Sequence, residues 1–134
     1  MENYLAPISI IIPTYNDAYF LERCLKSVQD QSVQPLEIIV VDDGSDSEDA
    51  YNLVHSDIFK TLNLKFLKIK NSGPSTARNQ GHGISKGEFI LFLDADDLLP
   101  PNSLKLYLNE IDVLDHTFFG ICGTMKNFGK SLQR

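Results

Sequence analysis

Four short apolar runs divide the chain, and polar or turn residues follow each of them. The runs occupy residues 9–12, 37–41, 64–69 and 88–93. Three of the four are nearly continuous in apolar residues, a pattern typical of parallel-sheet strands that are covered on both faces. The sequence therefore predicts four strands of one mainly parallel sheet.

A first helix is predicted between the first two strands. Asp17 stands where a helix N-cap is expected, and apolar residues follow it at spacings of three and four; they are Leu21, Cys24, Leu25 and Val28. Such a stripe is typical of a helix that packs one face on a sheet. The chain therefore opens with a strand–helix–strand unit.

Two further helices are predicted after the second and third strands. Ser45 and Glu48 have the spacing of a capping box, which predicts a helix from there to about His55. Another helix is predicted from Ser75 to just before Gly87, in a segment whose internal glycines weaken the helical pattern. Helices thus continue to alternate with strands.

The last part of the chain predicts one more helix and one more strand. Leu104, Leu108 and Ile111 share a helical face after a pair of prolines, and residues 118–122 form a short apolar run. No repeat or interdomain linker separates any part of the sequence. We therefore expect residues 1–134 to form a single α/β domain with an open, mainly parallel sheet and flanking helices.

The charge balance narrows the possible partners. Lys and Arg total 12 against 18 Asp and Glu, which gives a net charge of -6. Nucleic acid is not expected as a partner, because its affinity comes mainly from phosphates that Lys and Arg neutralise.

The two cysteines, Cys24 and Cys122, lie in apolar runs and are expected to be reduced. With no basic leader and no long apolar segment, we expect a cytoplasmic location.

The residues that follow the four strands are unusually polar. They read Pro-Thr-Tyr-Asn at 13–16, Asp-Asp-Gly-Ser at 42–45, Asn-Ser-Gly at 71–73 and Asp-Ala-Asp-Asp at 94–97. Ligands of open α/β sheets bind beyond the carboxyl ends of the strands. We therefore expect these segments to form one ligand site containing five carboxylates.

Asp94, Asp96 and Asp97 are candidates for binding a metal ion. Their mutual repulsion is relieved by a cation, and Mg²⁺ and Mn²⁺ favour hard oxygen ligands together with substrate phosphates. A solvated acidic loop or a helix cap before Leu98 is the ordinary alternative for so short a pattern. Its place directly after a buried strand favours the metal site.

Asp43 and Arg78 are candidates for binding a nucleotide. A carboxylate can accept a hydrogen bond from the N–H that a uracil, thymine or guanine edge presents. The guanidinium of Arg78 suits a diphosphate, and the N–H groups at a helix start favour the same anion. The alternative roles are a turn residue for Asp43 and an ion pair with a nearby acid for Arg78.

In order along the chain, these motifs closely resemble glycosyltransferase family 2. The matching blocks are Ser-Ile-Ile-Ile-Pro-Thr-Tyr-Asn at 9–16, Ile-Val-Val-Asp-Asp-Gly-Ser at 39–45, the segment 71–79 and Phe-Leu-Asp-Ala-Asp-Asp at 92–97. The resemblance covers about residues 8–115. It implies the GT-A fold, a Rossmann-like nucleotide-sugar-binding sheet, and transfer of a sugar from a nucleotide-diphosphate donor with inversion.

The resemblance also implies individual roles. Residues 13–15 (Pro13, Thr14 and Tyr15) match the strand end that contacts the base, while Asp43, Asn71 and Arg78 match residues that hold the base or diphosphate. Asp94 matches the acid that faces the ribose or the metal. Asp96 matches the direct ligand of Mn²⁺ or Mg²⁺, with Asp97 in its place if the alignment shifts by one residue.

The expected donor is a nucleotide-diphospho-sugar, with a UDP-sugar favoured, and the expected acceptor is a carbohydrate or a lipid-linked one. Family members are longer, and the part beyond the sheet supplies the acceptor site and a carboxylate base. No Asp or Glu follows Asp115. We therefore expect the base to lie outside this chain.

Three alternatives remain open at this point. A non-catalytic nucleotide-sugar-binding fragment is the strongest, because the chain is short. A haloacid-dehalogenase-like phosphatase needs a hydroxyl soon after Asp96, but Asp97-Leu98-Leu99 follows. A receiver domain needs an acceptor Asp on the third strand, but the sequence there reads Lys-Ile-Lys-Asn at 68–71.

The basic residues Lys126, Lys130 and Arg134 allow weak contact with an anionic membrane surface, although a solvated tail is favoured.

Overall fold

The computed structural model describes residues 4–114 and Gly120. The elements follow one another in the predicted alternation: β1 (Leu5–Thr14), α1 (Ala18–Gln29), β2 (Gln34–Asp42), α2 (Asp49–Val54), a 3₁₀ turn (Asp57–Phe59), β3 (Leu64–Lys68), α3 (Pro74–Ile84), β4 (Phe89–Phe92) and α4 (Ser103–Val113). The strand predicted at 118–122, Cys122 and the basic residues beyond it fall outside the described residues, apart from Gly120.

The four strands form one parallel sheet in the order β3-β2-β1-β4. Successive strands leave β1 first on one side, as β2 and β3, and then on the other, as β4. This reversal opens a crevice beyond the carboxyl end of β1, where α/β sheets bind ligands. Thr14, the last residue of β1, lies opposite Asp42, the last residue of β2. The predicted open, parallel α/β sheet is confirmed.

Helices cover both faces of the two central strands. One face packs Ile10, Ile12 and Val40 against α1, α2 and the start of α4, and the other packs Ile11 and Val41 against α3. β1 and β2 are therefore buried on both faces, as predicted. β4 was predicted to be equally covered, and this was wrong: its residues are only partly buried and Phe92 is 49% exposed. In the part of the chain that the structure describes, β4 is an edge strand.

Two predicted helix caps are wrong in detail. Asp17 occupies the N-cap position of α1, as predicted, but its side chain makes no capping hydrogen bond. Ser45 and Glu48 do not form a capping box either, because α2 begins at Asp49 and Ser45 lies outside it. The hydroxyl of Ser45 is instead committed to Asp42, on the strand before it. A hydrogen bond to a residue three positions earlier therefore takes the place of the predicted cap.

Helix α3 begins at Pro74, whose fixed φ suits the first helical position. Gly81, which weakened the helical pattern, is buried at the point where α3 crosses the sheet. A Cβ there would lie 2.6 Å from Cγ2 of Ile11 and 3.1 Å from Cγ2 of Val41. The glycine therefore lets α3 lie close on the sheet, and this close packing positions Pro74 and Arg78, the residues of α3 that line the cleft.

None of the helices among residues 4–114 is both long and apolar enough to cross a membrane.

Candidate nucleotide-sugar site

A cleft of about 530 Å³ opens beyond the carboxyl ends of the strands. All of the predicted nucleotide-contacting residues and the predicted metal ligand Asp96 line it. The lining residues are Pro13, Thr14, Tyr15, Asp17, Asp43, Asn71, Gly73, Pro74, Arg78, Asp94, Ala95 and Asp96. Sequence reasoning missed the cleft contribution of Asp17, which it treated only as a helix cap. Its position directly after Tyr15-Asn16 was the available signal.

Two of the five acids expected at this edge of the sheet do not line the cleft. Asp42 is buried at 1% exposure, and its Oδ1 accepts hydrogen bonds from the backbone N–H and the hydroxyl of Ser45. Asp42 was therefore wrongly placed among the ligand-binding acids, because it points into the protein and shapes the turn after β2. Asp97 is the other acid that does not line the cleft.

Asp43 builds one wall of the cleft. Its two carboxylate oxygens accept hydrogen bonds from the backbone N–H groups of Ser72 at 2.7 Å and Gly73 at 2.9 Å, and Asn71 Nδ2 donates to its carbonyl at 3.0 Å. Gly44 allows this approach, since its φ is +78° and a Cβ would lie 2.8 Å from the backbone nitrogen of Asn71. The loops after β2 and β3 are thus held together as one surface.

Arg78 lies on the first turns of α3 and reaches across the cleft. Its Nη2 donates to Oδ1 of Asp94 at 2.7 Å, with the two side chains 31% and 47% exposed. A partly exposed pair of this kind is held weakly, typically by about 1 kcal/mol or less. The guanidinium is therefore free to exchange the carboxylate for a more highly charged anion in the same cleft.

Asp94, Asp96 and Asp97 converge at the end of β4. A turn in which Asp97 N donates to the carbonyl of Asp94 brings them together, and carboxylate oxygens of all three lie within 4.8 Å of one another. Burial and the neighbouring Asp96 and Asp94 carboxylates raise the pKa of Asp97. Three hard oxygen donors under mutual repulsion fit Mn²⁺ or Mg²⁺ well. Asp94 and Asp96 present theirs to the cleft.

The side chains of Thr14 and Cys24 also lie at or next to the cleft. The hydroxyl of Thr14 is buried without a hydrogen-bond partner in the described part of the chain. Cys24 lies beneath the acidic cluster, with its thiol 3.6 Å from the carbonyl of Asp94. Burial, and then Asp97, Asp96 and Asp94, raise the pKa of this thiol to about 12. Cys24 is therefore a neutral packing residue and no nucleophile.

Comparison with known proteins identifies the family. The model described as "Glycosyl transferase family 2" matches residues 9–131, nearly the whole chain. The chain belongs to glycosyl transferase family 2. It is 35% identical over 117 residues to the GalNAc(5)-diNAcBac-PP-undecaprenol beta-1,3-glucosyltransferase of Campylobacter jejuni, a match that covers 86% of this chain and 38% of that protein.

Solved structures of similar proteins confirm the fold. S. aureus TarS 1-349 in complex with UDP-GlcNAc matches 79% of this chain and 31% of that one, with a TM-score of 0.72 and 33% identity. The mannosyltransferase PcManGT of Pyrobaculum calidifontis, in complex with GDP-Man and Mn²⁺, matches 74% of this chain and 30% of that one, with a TM-score of 0.66 and 28% identity.

The predicted family and GT-A fold are thus confirmed, and the phosphatase and receiver alternatives fall away. The chain spans less than half the length of the curated relatives that it matches.

Proposed function

We propose that this chain binds the nucleotide-diphospho-sugar donor of a glycosyltransferase. The observation that carries the proposal is the convergence of Pro13, Thr14, Tyr15, Asp43, Asn71, Arg78, Asp94 and Asp96 on one cleft. These residues come from four separate segments of the sequence. Their convergence gives an aromatic and polar wall for a base, a cation for a diphosphate and carboxylates for a metal in a single site.

The base is proposed to bind between Tyr15 and Asp43. The Tyr15 ring is 47% exposed at the cleft and offers a face for stacking, while the Asp43 carboxylate, though bonded to the 71–73 loop, retains lone pairs for a base N–H. A base that presents an imide N–H fits this wall, and we therefore favour a UDP-sugar. The binding of UDP-GlcNAc by TarS supports that choice.

The diphosphate is proposed to bind beside Arg78 and the start of α3. A guanidinium matches phosphate oxygens bidentately, and the first turn of a helix offers unpaired N–H groups to the same anion. Asp94 and Asp96 would hold Mn²⁺ or Mg²⁺ next to it, with Asp97 as the neighbouring third carboxylate. The metal would supply charge neutralisation for the departing diphosphate. Mn²⁺ in the PcManGT complex supports this assignment.

For the whole protein we propose an inverting transfer. The acceptor hydroxyl attacks the anomeric carbon from the side away from the diphosphate, a carboxylate base takes its proton, and the bond from that carbon to the diphosphate oxygen breaks to release the nucleoside diphosphate. The acids of the cleft serve the donor side. We propose that the acceptor is a carbohydrate or a lipid-linked one and that the product is a surface polysaccharide. The undecaprenol-linked substrate in the name of the Campylobacter relative supports this proposal.

Calorimetric titration of the 134-residue chain with UDP, in Mn²⁺ and in chelator, tests donor binding. We expect at least about tenfold weaker binding in chelator, since charge-assisted contacts of this kind are worth ~1.5–3 kcal/mol. Equal affinity in the two conditions would contradict the metal site. Asp96→Asn should abolish the metal effect, whereas Asp97→Asn, its matched control, should retain most of it.

A second measurement separates an active transferase from a non-catalytic binding fragment. The chain is incubated with Mn²⁺, UDP-sugars and carbohydrate acceptors, and released UDP is measured. We expect donor binding without acceptor-dependent turnover, because the acids of the cleft are assigned to the donor side. Without a general base, transfer is commonly slower by ~10²–10⁴-fold. Sustained turnover that depends on acceptor would show that a base lies within these 134 residues.

A further inference from the structure

Asn16 and Asp46 connect the loops that follow β1 and β2. Asn16 Nδ2 donates to Oδ2 of Asp46 at 3.1 Å, and the backbone N–H of Asp46 donates to Oδ1 of Asn16 at 2.9 Å. The two residues are 30 positions apart in the sequence. This reciprocal pair, the Asn16–Asp46 clamp, therefore fixes one loop against the other.

The clamp is anchored in the protein interior. The backbone N–H of Asn16 donates to the hydroxyl of Ser45 at 2.9 Å, and that hydroxyl donates in turn to the buried carboxylate of Asp42. A continuous chain of hydrogen bonds thus runs from the end of β2 to the loop after β1. The inner members of this chain, Asp42 and Ser45, are buried, whereas the Asn16–Asp46 pair at its outer end is exposed.

The backbone conformation of Asn16 suits this role. Its φ is +52°, in the left-handed region that Asn, Asp and Gly adopt more readily than other residues. The left-handed turn lies between Tyr15 and Asp17, and both of these line the cleft. Neither Asn16 nor Asp46 is among the cleft-lining residues, so neither is placed to contact a ligand there.

We infer that the Asn16–Asp46 clamp positions the base-binding wall of the cleft, and this inference rests on the proposed nucleotide site. Tyr15 precedes Asn16 directly, and Asp43 lies three residues before Asp46 on the other clamped loop. Together with the hydrogen bond from the backbone N–H of Asp43 to the carbonyl of Thr14, the clamp therefore sets the separation between the ring and the carboxylate that are to hold the base. Asn16 and Asp46 are positioning residues that act through Tyr15 and Asp43.

Exchanging the two side chains tests the clamp. Asn16→Asp keeps the left-handed turn but replaces the donor Nδ2 with a carboxylate oxygen 3.1 Å from Oδ2 of Asp46, so the bond between the side chains is lost and the two carboxylates repel each other. Asp46→Asn alone keeps a carbonyl oxygen that accepts from Asn16. In the double variant Asn16→Asp/Asp46→Asn, the donor and the acceptor have changed places and the pair forms again.

The probes are UDP and inorganic pyrophosphate, each titrated in the presence of Mn²⁺ well below the unfolding temperature. We expect Asn16→Asp to weaken UDP binding about tenfold, the double variant to bind within about threefold of the unsubstituted chain, and Asp46→Asn to bind UDP normally. Pyrophosphate, which lacks the base, should bind all four proteins equally. A merely structural defect would weaken both probes.

The outcomes separate the two proposals. If the unsubstituted chain binds UDP and Asn16→Asp binds it equally well, the clamp has no positioning role. If Asn16→Asp weakens UDP and pyrophosphate alike, or if the double variant recovers nothing, the inference is also overturned. If the unsubstituted chain does not bind UDP at all, the proposed function fails and the inference fails with it.

Discussion

Arg78 and Asp94 form an ion pair across the cleft, with 2.7 Å between Nη2 and Oδ1. The pair joins the residue proposed to hold the diphosphate to a residue proposed to hold the metal. One carboxylate oxygen therefore has two competing partners, the guanidinium and the cation. Donor binding should draw Arg78 towards phosphate and leave Asp94 to the metal.

Arg78→Met should accordingly move two affinities in opposite directions. UDP binding in Mn²⁺ should weaken by roughly 10- to 100-fold, because a hydrogen bond to a charged group is worth ~1.5–3 kcal/mol. Mn²⁺ binding without nucleotide should strengthen slightly, by up to about fivefold, because Asp94 loses a weak exposed partner. Calorimetry measures the first and Mn²⁺ electron paramagnetic resonance the second. Arg23→Met, at an exposed position on α1, is the control, and weaker Mn²⁺ binding by Arg78→Met would contradict the competition.

Asp43→Ala should weaken UDP binding while leaving Mn²⁺ binding nearly intact. The substitution removes the acceptor for a base N–H and leaves the N–H groups of Ser72 and Gly73 without their partner. Each lost contact of this kind costs ~1–3 kcal/mol, so both UDP affinity and the free energy of unfolding should fall. Titration calorimetry and urea unfolding measure the two effects, with the exposed Asp112→Ala as control. Loss of Mn²⁺ binding would instead place Asp43 in the metal site.

Gly81→Ala and Gly83→Ala form a matched pair on α3. A Cβ at Gly81 meets Ile11 Cγ2 at 2.6 Å, whereas a Cβ at Gly83 has nothing within 4 Å. Gly81→Ala should destabilise the fold by ~1–3 kcal/mol through overpacking and lift Arg78 away from the cleft, so UDP binding should weaken as well. Gly83→Ala should be neutral or stabilising by up to ~1 kcal/mol. Urea unfolding checks both, and equal effects of the two substitutions would contradict the close packing of α3.

Glu37 should make stability depend on acid pH. Burial by itself raises its pKa, but hydrogen bonds from Lys65, Ser9 and the backbone N–H of Lys86, together with the charge of Lys65, outweigh it, so the pKa lies below its ordinary value of 4.5. A lowered pKa in the folded state stabilises the protein above pH 4.5, and this contribution is lost as the pH falls through the folded-state value.

Glu37→Gln removes that contribution. We expect it to lower the free energy of unfolding by ~1–3 kcal/mol at pH 7, with the difference from the unsubstituted chain shrinking towards pH 3. Urea unfolding between pH 3 and 7 provides the measurement. Glu22→Gln, which removes a partly exposed ion pair with Lys26 on α1, should change stability by less than ~1 kcal/mol at any pH. A pH-independent effect of Glu37→Gln would mean that its charge does not contribute.

The sequence by itself determined the alternation of strands and helices, because apolar periodicity records which residues a sheet or helix must bury. It also determined most of the residues that meet in the cleft, because the carboxyl ends of parallel strands lie at one edge of the sheet. Tyr15, Asp43, Arg78 and Asp94 could be grouped for that reason. The residues predicted to contact the nucleotide, together with Asp96, line one cleft, while their individual roles remain predictions.

Only the tertiary structure decided how the acids divide between folding and the site. Asp42 and Asp43 are adjacent in sequence and both are buried, yet Asp42 bonds Ser45 while Asp43 lines the cleft. The Ser45 capping box was wrong for the same reason, because its hydroxyl bonds Asp42 and the backbone of Asn16, 29 residues away. Asp43 bonds Ser72 and Gly73, and Ser45 bonds Asn16, across 29 or 30 residues, and local spacing carries no record of such contacts.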